Sequence, residues 1–65
     1  MKIILNGAPH EARGHTLADI VDEMGLADAK VATAVNEDFV PVSARAATTL
    51  AEGDRVELVA PMQGG

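Results

Sequence analysis

Thr16-Leu17-Ala18-Asp19-Ile20-Val21-Asp22-Glu23-Met24-Gly25 is the stretch whose reading decides the fold. Leu17, Ile20, Val21 and Met24 recur at i, i+3, i+4 and i+7, a single apolar stripe at helical period. Thr16 followed by Asp19 has the spacing of a capping box, with aspartate in the place usually held by glutamate. Gly25 supplies the left-handed conformation that ends a helix, and Leu26 beyond it is placed to close against the last turn. The expectation is one short amphipathic helix whose outer, solvated face carries Asp19, Asp22 and Glu23, with Asp19 well placed for the helix dipole.

The flanking segments read as strands. Lys2 to Asn6 alternates, with Ile3 and Leu5 on one face and Lys2, Ile4 and Asn6 on the other. Asn6-Gly7 tolerates positive φ at both positions and predicts a hairpin. Pro9 lacks an amide donor and suits the start of an edge strand that continues through His10 to Arg13. Beyond the helix, Val31 to Asn36 reads as a third strand, with Val31, Thr33 and Val35 toward the helix and Ala32 and Ala34 away from it. Asn36-Glu37-Asp38 turns the chain into a short strand at Phe39-Val40, which Pro41 ends. Ser43 to Thr49 is alanine-rich and too short for an independent helix, so a loop with about one helical turn is expected, anchored by Leu50. Glu52-Gly53-Asp54 is a tight turn, and Arg55 to Ala60 is the last strand, with Val56 and Leu58 inside and Arg55, Glu57 and Val59 outside.

Composition bounds what these elements can do. Sixty-five residues make one small domain, near the lower limit for a core that stands without staples. There is no cysteine, so neither a disulfide nor a thiolate metal ligand contributes. Twelve residues are alanine and Phe39 is the only aromatic, which leaves the core to Ile, Leu, Val and Met. The formal net charge is −5, with ten acidic residues against five scattered basic ones. Such a surface does not neutralise a phosphate backbone and favours partners with basic faces. No signal-peptide pattern opens the sequence and no apolar run reaches membrane-spanning length, so a cytoplasmic protein with no membrane or nucleic-acid partner is expected.

The order strand, strand, helix, strand, short strand, strand predicts an α+β fold, a mixed sheet of four to five strands packed on one helix. That is the β-grasp of ubiquitin-like proteins, here spanning residues 1–60 and followed by a flexible tail at 61–65. With the first and last strands adjacent at the centre, Ile4 and Val59 are expected to meet on the open face, beside Ala32 and Ala34, which let a partner approach closely. Ile4, Val59 and Phe39 are the candidate docking residues. In the tail, Pro61-Met62-Gln63-Gly64-Gly65, two glycines without Cβ can thread backbone into a slot too narrow for side chains. An α-carboxylate there, with an ordinary pKa of about 3.3 to 3.7, is ionised at neutral pH and can attack an electrophile such as a nucleotide phosphate.

Met1-Lys2-Ile3-Ile4-Leu5-Asn6-Gly7, Thr16-Leu17-Ala18-Asp19-Ile20-Val21, Ala34-Val35-Asn36 ahead of Val40-Pro41, Gly53-Asp54-Arg55-Val56-Glu57-Leu58-Val59 and the ending Gln63-Gly64-Gly65 together resemble the ThiS family of thiamine-pathway sulfur carriers. The resemblance covers the whole chain. Ala44 to Thr49 departs from it, since members often carry bulkier or charged residues there, and this bears on the choice of partner. The resemblance implies a protein co-substrate with no catalytic residue, no bound cofactor and no metal of its own. An E1-like adenylating enzyme would use ATP and magnesium to adenylate the Gly65 carboxylate, releasing pyrophosphate. A sulfur donor, ultimately the persulfide of a cysteine desulfurase, would displace AMP and leave a terminal thiocarboxylate for thiazole synthase. Partners would grip Gln63, Gly64 and Gly65, with Gly64 giving the bend and slim backbone and Gly65 the reacting carbon.

Other readings carry less. For an independent enzyme the sequence offers no Cys nucleophile, no recognisable Ser-His motif and no glycine-rich phosphate loop. His10 and His15 with Glu11 are the conceivable metal ligands, and solvent-facing side chains are the expectation for them. A carrier for molybdopterin or another sulfur-transfer route, ligation to other proteins, and an unmodified ubiquitin-like binding module stand as alternatives.

Overall fold

In the computed structural model, which describes residues 1–60, helix α1 spans Leu17–Glu23. Its start is held by the expected box: the Asp19 amide donates to the Thr16 hydroxyl at 3.2 Å, and the Asp19 carboxylate accepts the amides of Thr16 at 3.2 Å and His15 at 3.1 Å. These donors hold the Asp19 carboxyl below its usual range. At the other end Gly25 takes φ 73°, the Leu26 amide donates to the Val21 carbonyl and the Gly25 amide to the Asp22 carbonyl, both at 3.0 Å. That pair of bonds is a Schellman closure. Leu17, Ile20 and Val21 are buried, whereas Met24, the fourth member of the stripe, is 43% exposed. The cause is local: Met24 is the C-cap, with ψ near zero, and the backbone has left the helical path that would aim it inward.

Around α1 lie β1 (Lys2–Leu5), β2 (Ala8–Glu11), β3 (Ala32–Val35), β4 (Asp38–Val40), a 3-10 helix at Val42–Ala47 and β5 (Arg55–Val59). The sheet runs β2-β1-β5-β3-β4, with β1 and β5 parallel at its centre and the other pairs antiparallel. This is the β-grasp arrangement. Ile3, Leu5, Val40, Val56 and Leu58 point from the sheet into one cluster with Leu17, Ile20 and Val21 of α1. Val31 and Thr33 are buried and Val35 packs against the same core, so β3 presents the expected face to the helix. Leu50 is buried, and its amide bonds the His15 carbonyl at 2.8 Å, tying the loop before β5 to the helix start. Among the described residues no helix is long and apolar enough to cross a membrane.

Two asparagines do more than turn hairpins. Asn6 and Asn36 have φ of 49° and 50°, and each reaches across to β5 with its side chain. The Asn6 Oδ1 accepts the Leu58 amide at 2.9 Å and its Nδ2 donates to the Leu58 carbonyl at 3.3 Å. Asn36 Oδ1 accepts the Arg55 amide at 3.0 Å. The short parallel pairing of β1 with β5, only Ile4↔Arg55 and Leu5↔Val56, is thereby lengthened by a side-chain rung.

Glu23 corrects the sequence reading of a solvated acidic face. Its Oε2 accepts the amides of Arg13 at 2.9 Å and Gly14 at 2.7 Å, and Oε1 lies 3.4 Å from His10 Nε2. The carboxylate thus fastens the segment after β2 to the end of α1. Burial pushes the carboxyl up, but the Gly14 amide, His10 and the Arg13 amide outweigh it and hold the group below its ordinary value. A folded pKa below the unfolded one means that this stabilisation is complete above the ordinary value of 4.5 and is lost as pH falls through the folded value. Glu23→Gln is therefore expected to be less stable than wild type at pH 7 by about 1 to 2 kcal/mol. Its denaturant midpoint should also fall less between pH 5 and pH 3, and parallel pH profiles would remove Glu23 from the acid response.

Candidate functional site

The face of the sheet turned away from α1 is set by strand register. Pro9, Ile4 and Arg55 form one cross-strand row, since Ile4 pairs with both neighbours. Phe39, Ala34 and Glu57 form the next, and Ala32 stands opposite Val59. Phe39 is 70% and Val59 60% exposed. Two alanines between them keep the floor low, so Val59, Ala32, Ala34 and Phe39 make a shallow apolar notch with a larger side chain at each end.

Ile4 is not part of it. The expected meeting of Ile4 and Val59 does not occur: Ile4 is level with Arg55, and Val59 lies four residues farther along β5, about 13 Å at strand rise. Glu57 stands between the level of Ile4 and Val59 on that face, and β1 has ended before Val59 is reached. Ile4 is half-buried next to Pro9 on a separate part of the face. The ion pair of Arg55 with Glu37, at 3.6 Å between exposed side chains, contributes little.

A groove of about 490 Å³ adjoins the notch at the end where β5 finishes, between the turn after α1, the 3-10 helix and β3. Val59 belongs to both surfaces, and Lys30, Val42 and Arg45 also line the groove. The 3-10 helix extends the one helical turn expected within the alanine-rich loop over most of that stretch, and it carries the buried Arg45. Sequence reasoning passed over Arg45. A lone arginine in a run of alanines was the available signal.

Gln63, Gly64 and Gly65, the residues expected to be gripped by partners, lie outside the described residues. His10 is turned toward Glu23, while His15 is exposed. Among the described residues no three His, Asp or Glu side chains come together as a metal site requires.

The ThiS family model matches residues 3–65. The sulfur carrier protein ThiS of Thermus thermophilus is 41% identical over 61 residues, 94% of this chain and 95% of that protein. Thiazole synthases of Magnetococcus marinus and Paramagnetospirillum magneticum are 41% and 33% identical over 66 residues, which span all of this chain but 20% of each of theirs. The crystal structure of the thiamine biosynthesis protein ThiS from Geobacter metallireducens superposes with a TM-score of 0.83 at 29% identity, covering both chains completely. A solution structure of a thiamine biosynthesis protein from the same organism gives 0.80 at 28% identity, covering all of this chain and 88% of that one. A family match over almost the full sequence, a relative alike along nearly its entire length and a shared β-grasp sheet agree, and the chain belongs to the ThiS family.

Proposed function

We propose that this chain is a sulfur carrier of thiamine biosynthesis, a protein co-substrate whose Gly65 carboxylate is the reacting group. The observation that carries this is the similarity to the Thermus sulfur carrier over nearly the full length of both proteins. An E1-like enzyme with ATP and magnesium joins the carboxylate to AMP, expelling pyrophosphate. Adenylation makes a poor acyl electrophile into a good one, and the glycine carbonyl offers no side chain to hinder attack. The outer sulfur of a cysteine desulfurase persulfide then displaces AMP to give an acyl disulfide, a thiol cleaves its S–S bond and is itself left in a disulfide, and the thiocarboxylate so released goes to thiazole synthase. Two proteins named thiazole synthase that contain a match to this whole chain support that last partner. The catalytic groups belong to the partners, and a reaction drawing on ATP belongs to the cytoplasm.

The described residues supply the handle. The notch is the docking surface in this reading, with Val59 and Phe39 as its anchors and Ile4 as a peripheral contact. Val59→Asp is expected to weaken binding to the adenylating enzyme at least about tenfold, as loss of an interface anchor does, with little change in melting temperature because the side chain is 60% exposed. Titration calorimetry and thermal melting check this, and an unchanged Kd removes the notch from the interface. The function itself is tested by mixing the chain with the adenylating enzyme and Mg-ATP. Pyrophosphate release should require the chain and vanish when Gly65 is deleted; release independent of Gly65 would refute the proposal.

A further inference from the structure

Five basic residues stand on this acidic chain, and two of them, Lys30 and Arg45, line the same apolar groove. Arg45 is 9% exposed. Its Nε donates to Thr33 Oγ1 at 3.1 Å and its Nη2 to the Val31 carbonyl. The Thr33 hydroxyl donates onward to the Val40 carbonyl at 2.6 Å, so its oxygen is fixed as an acceptor for Arg45. These bonds lock the guanidinium plane, yet every acceptor is neutral. Among the described residues no carboxylate pairs with Arg45, and its Nη1 makes no hydrogen bond.

A guanidinium has five donors, so one held through Nε and Nη2 by neutral acceptors of the described residues still has Nη1 to offer an anion. The surroundings say what kind. Ala27, Ala29, Val42 and Val59 make the remaining walls apolar, and Val42 and Val59 are 71% and 60% exposed. A small hydrated anion would leave those valines in water, whereas a polypeptide segment would cover them. The groove also borders Val59, the last residue of β5, so it adjoins the end of the described body. A net charge of −5 disfavours a partner's carboxylate over the surface as a whole, and the two cations of this groove make it a place where one is accepted and the docking register can be set.

We propose that the groove receives a segment of thiazole synthase carrying one carboxylate flanked by apolar side chains. The carboxylate pairs with Arg45 Nη1 and Lys30, and the apolar neighbours cover Val42 and Val59. The choice of partner rests on the function proposed above; the groove's preference for an acidic, apolar segment rests on its own residues.

The test uses the full chain, labelled with ¹⁵N, and unlabelled thiazole synthase from the same source. Amide shifts are expected at Lys30, Val42, Arg45 and Val59. Lys30→Glu and Arg45→Met should each weaken binding at least about tenfold, as loss of a buried, hydrogen-bonded charge pair does. Should Arg45→Met fail to fold, the exposed Lys30→Glu carries the test alone. Wild-type affinity in the variants, weakened binding to the adenylating enzyme only, or shifts of the same amides by millimolar inorganic phosphate without thiazole synthase would each overturn the proposal. Pyrophosphate release by the wild-type chain, read in parallel, shows separately whether the carrier function itself holds.

Discussion

Adding one alanine after Gly65 is expected to abolish thiocarboxylate formation and leave the melting temperature unchanged. In the extended chain the Gly65 carbonyl becomes an amide, which is neither a nucleophile toward ATP nor an acyl donor. The new carboxylate sits about 3.4 Å farther out, on a residue whose Cβ a glycine slot does not admit. Nearly all of the rate should disappear, because misplacement of a reacting group by about 1 Å already costs on the order of a hundredfold. The body is insulated from the change, since the last core residue among the described residues is Leu58. Intact-mass measurement after incubation with the activating enzyme, Mg-ATP and a sulfur source reads the chemistry, and a thermal melt reads the fold. Normal oxygen-to-sulfur exchange on the extended chain would contradict the role given to Gly65.

Ile20→Ala is expected to leave the protein largely unfolded at 37 °C. Ile20 is fully buried in the middle of α1, in the cluster that joins the helix to β1 and β5. Truncating such a side chain costs about 2 to 5 kcal/mol, and a core in a domain this small supplies only about 3 to 5 kcal/mol of net stability. Met24→Ala, in the same helix but 43% exposed, should be nearly neutral. Urea titration of the pair checks the contrast. A wild-type midpoint for Ile20→Ala would mean that the packing of α1 on the sheet is not what holds the domain together.

The features legible in the sequence are those that local chemistry determines. The capping box of Thr16 and Asp19, the closure at Gly25, and the two-residue alternation that sends Val56 and Leu58 inward all reside in a few consecutive residues. The faces of β1, β3 and β5 were legible for the same reason. Register was not: Ile4 and Val59 share a face, but whether they are neighbours depends on which residue of β1 lies level with which residue of β5. That alignment is fixed by the turns at Asn6 and Asn36 and by the reach of their side chains to β5, contacts between residues far apart in the chain.

Long-range partners also explain one polar residue that was misread and one that was passed over. Glu23 has the spacing of an outward helix position, and only the path of the chain through Arg13 and Gly14 brings amides to it. Arg45 is buried because Val31 and Thr33 of a neighbouring segment offer it acceptors. A helical wheel or a strand pattern contains neither fact. The chemistry given to Gly65 came from family resemblance, and the notch and groove bear on it only through their closeness to the end of β5.

The most direct test is the mass of the C-terminal peptide of this protein recovered from cells that are making thiamine. The expected result is a population in which one oxygen of the Gly65 carboxylate is replaced by sulfur, rising when thiazole synthase is depleted and absent when the activating enzyme is removed. A terminus that carries only oxygen under all three conditions would contradict the claim that this chain delivers sulfur on its final carbonyl.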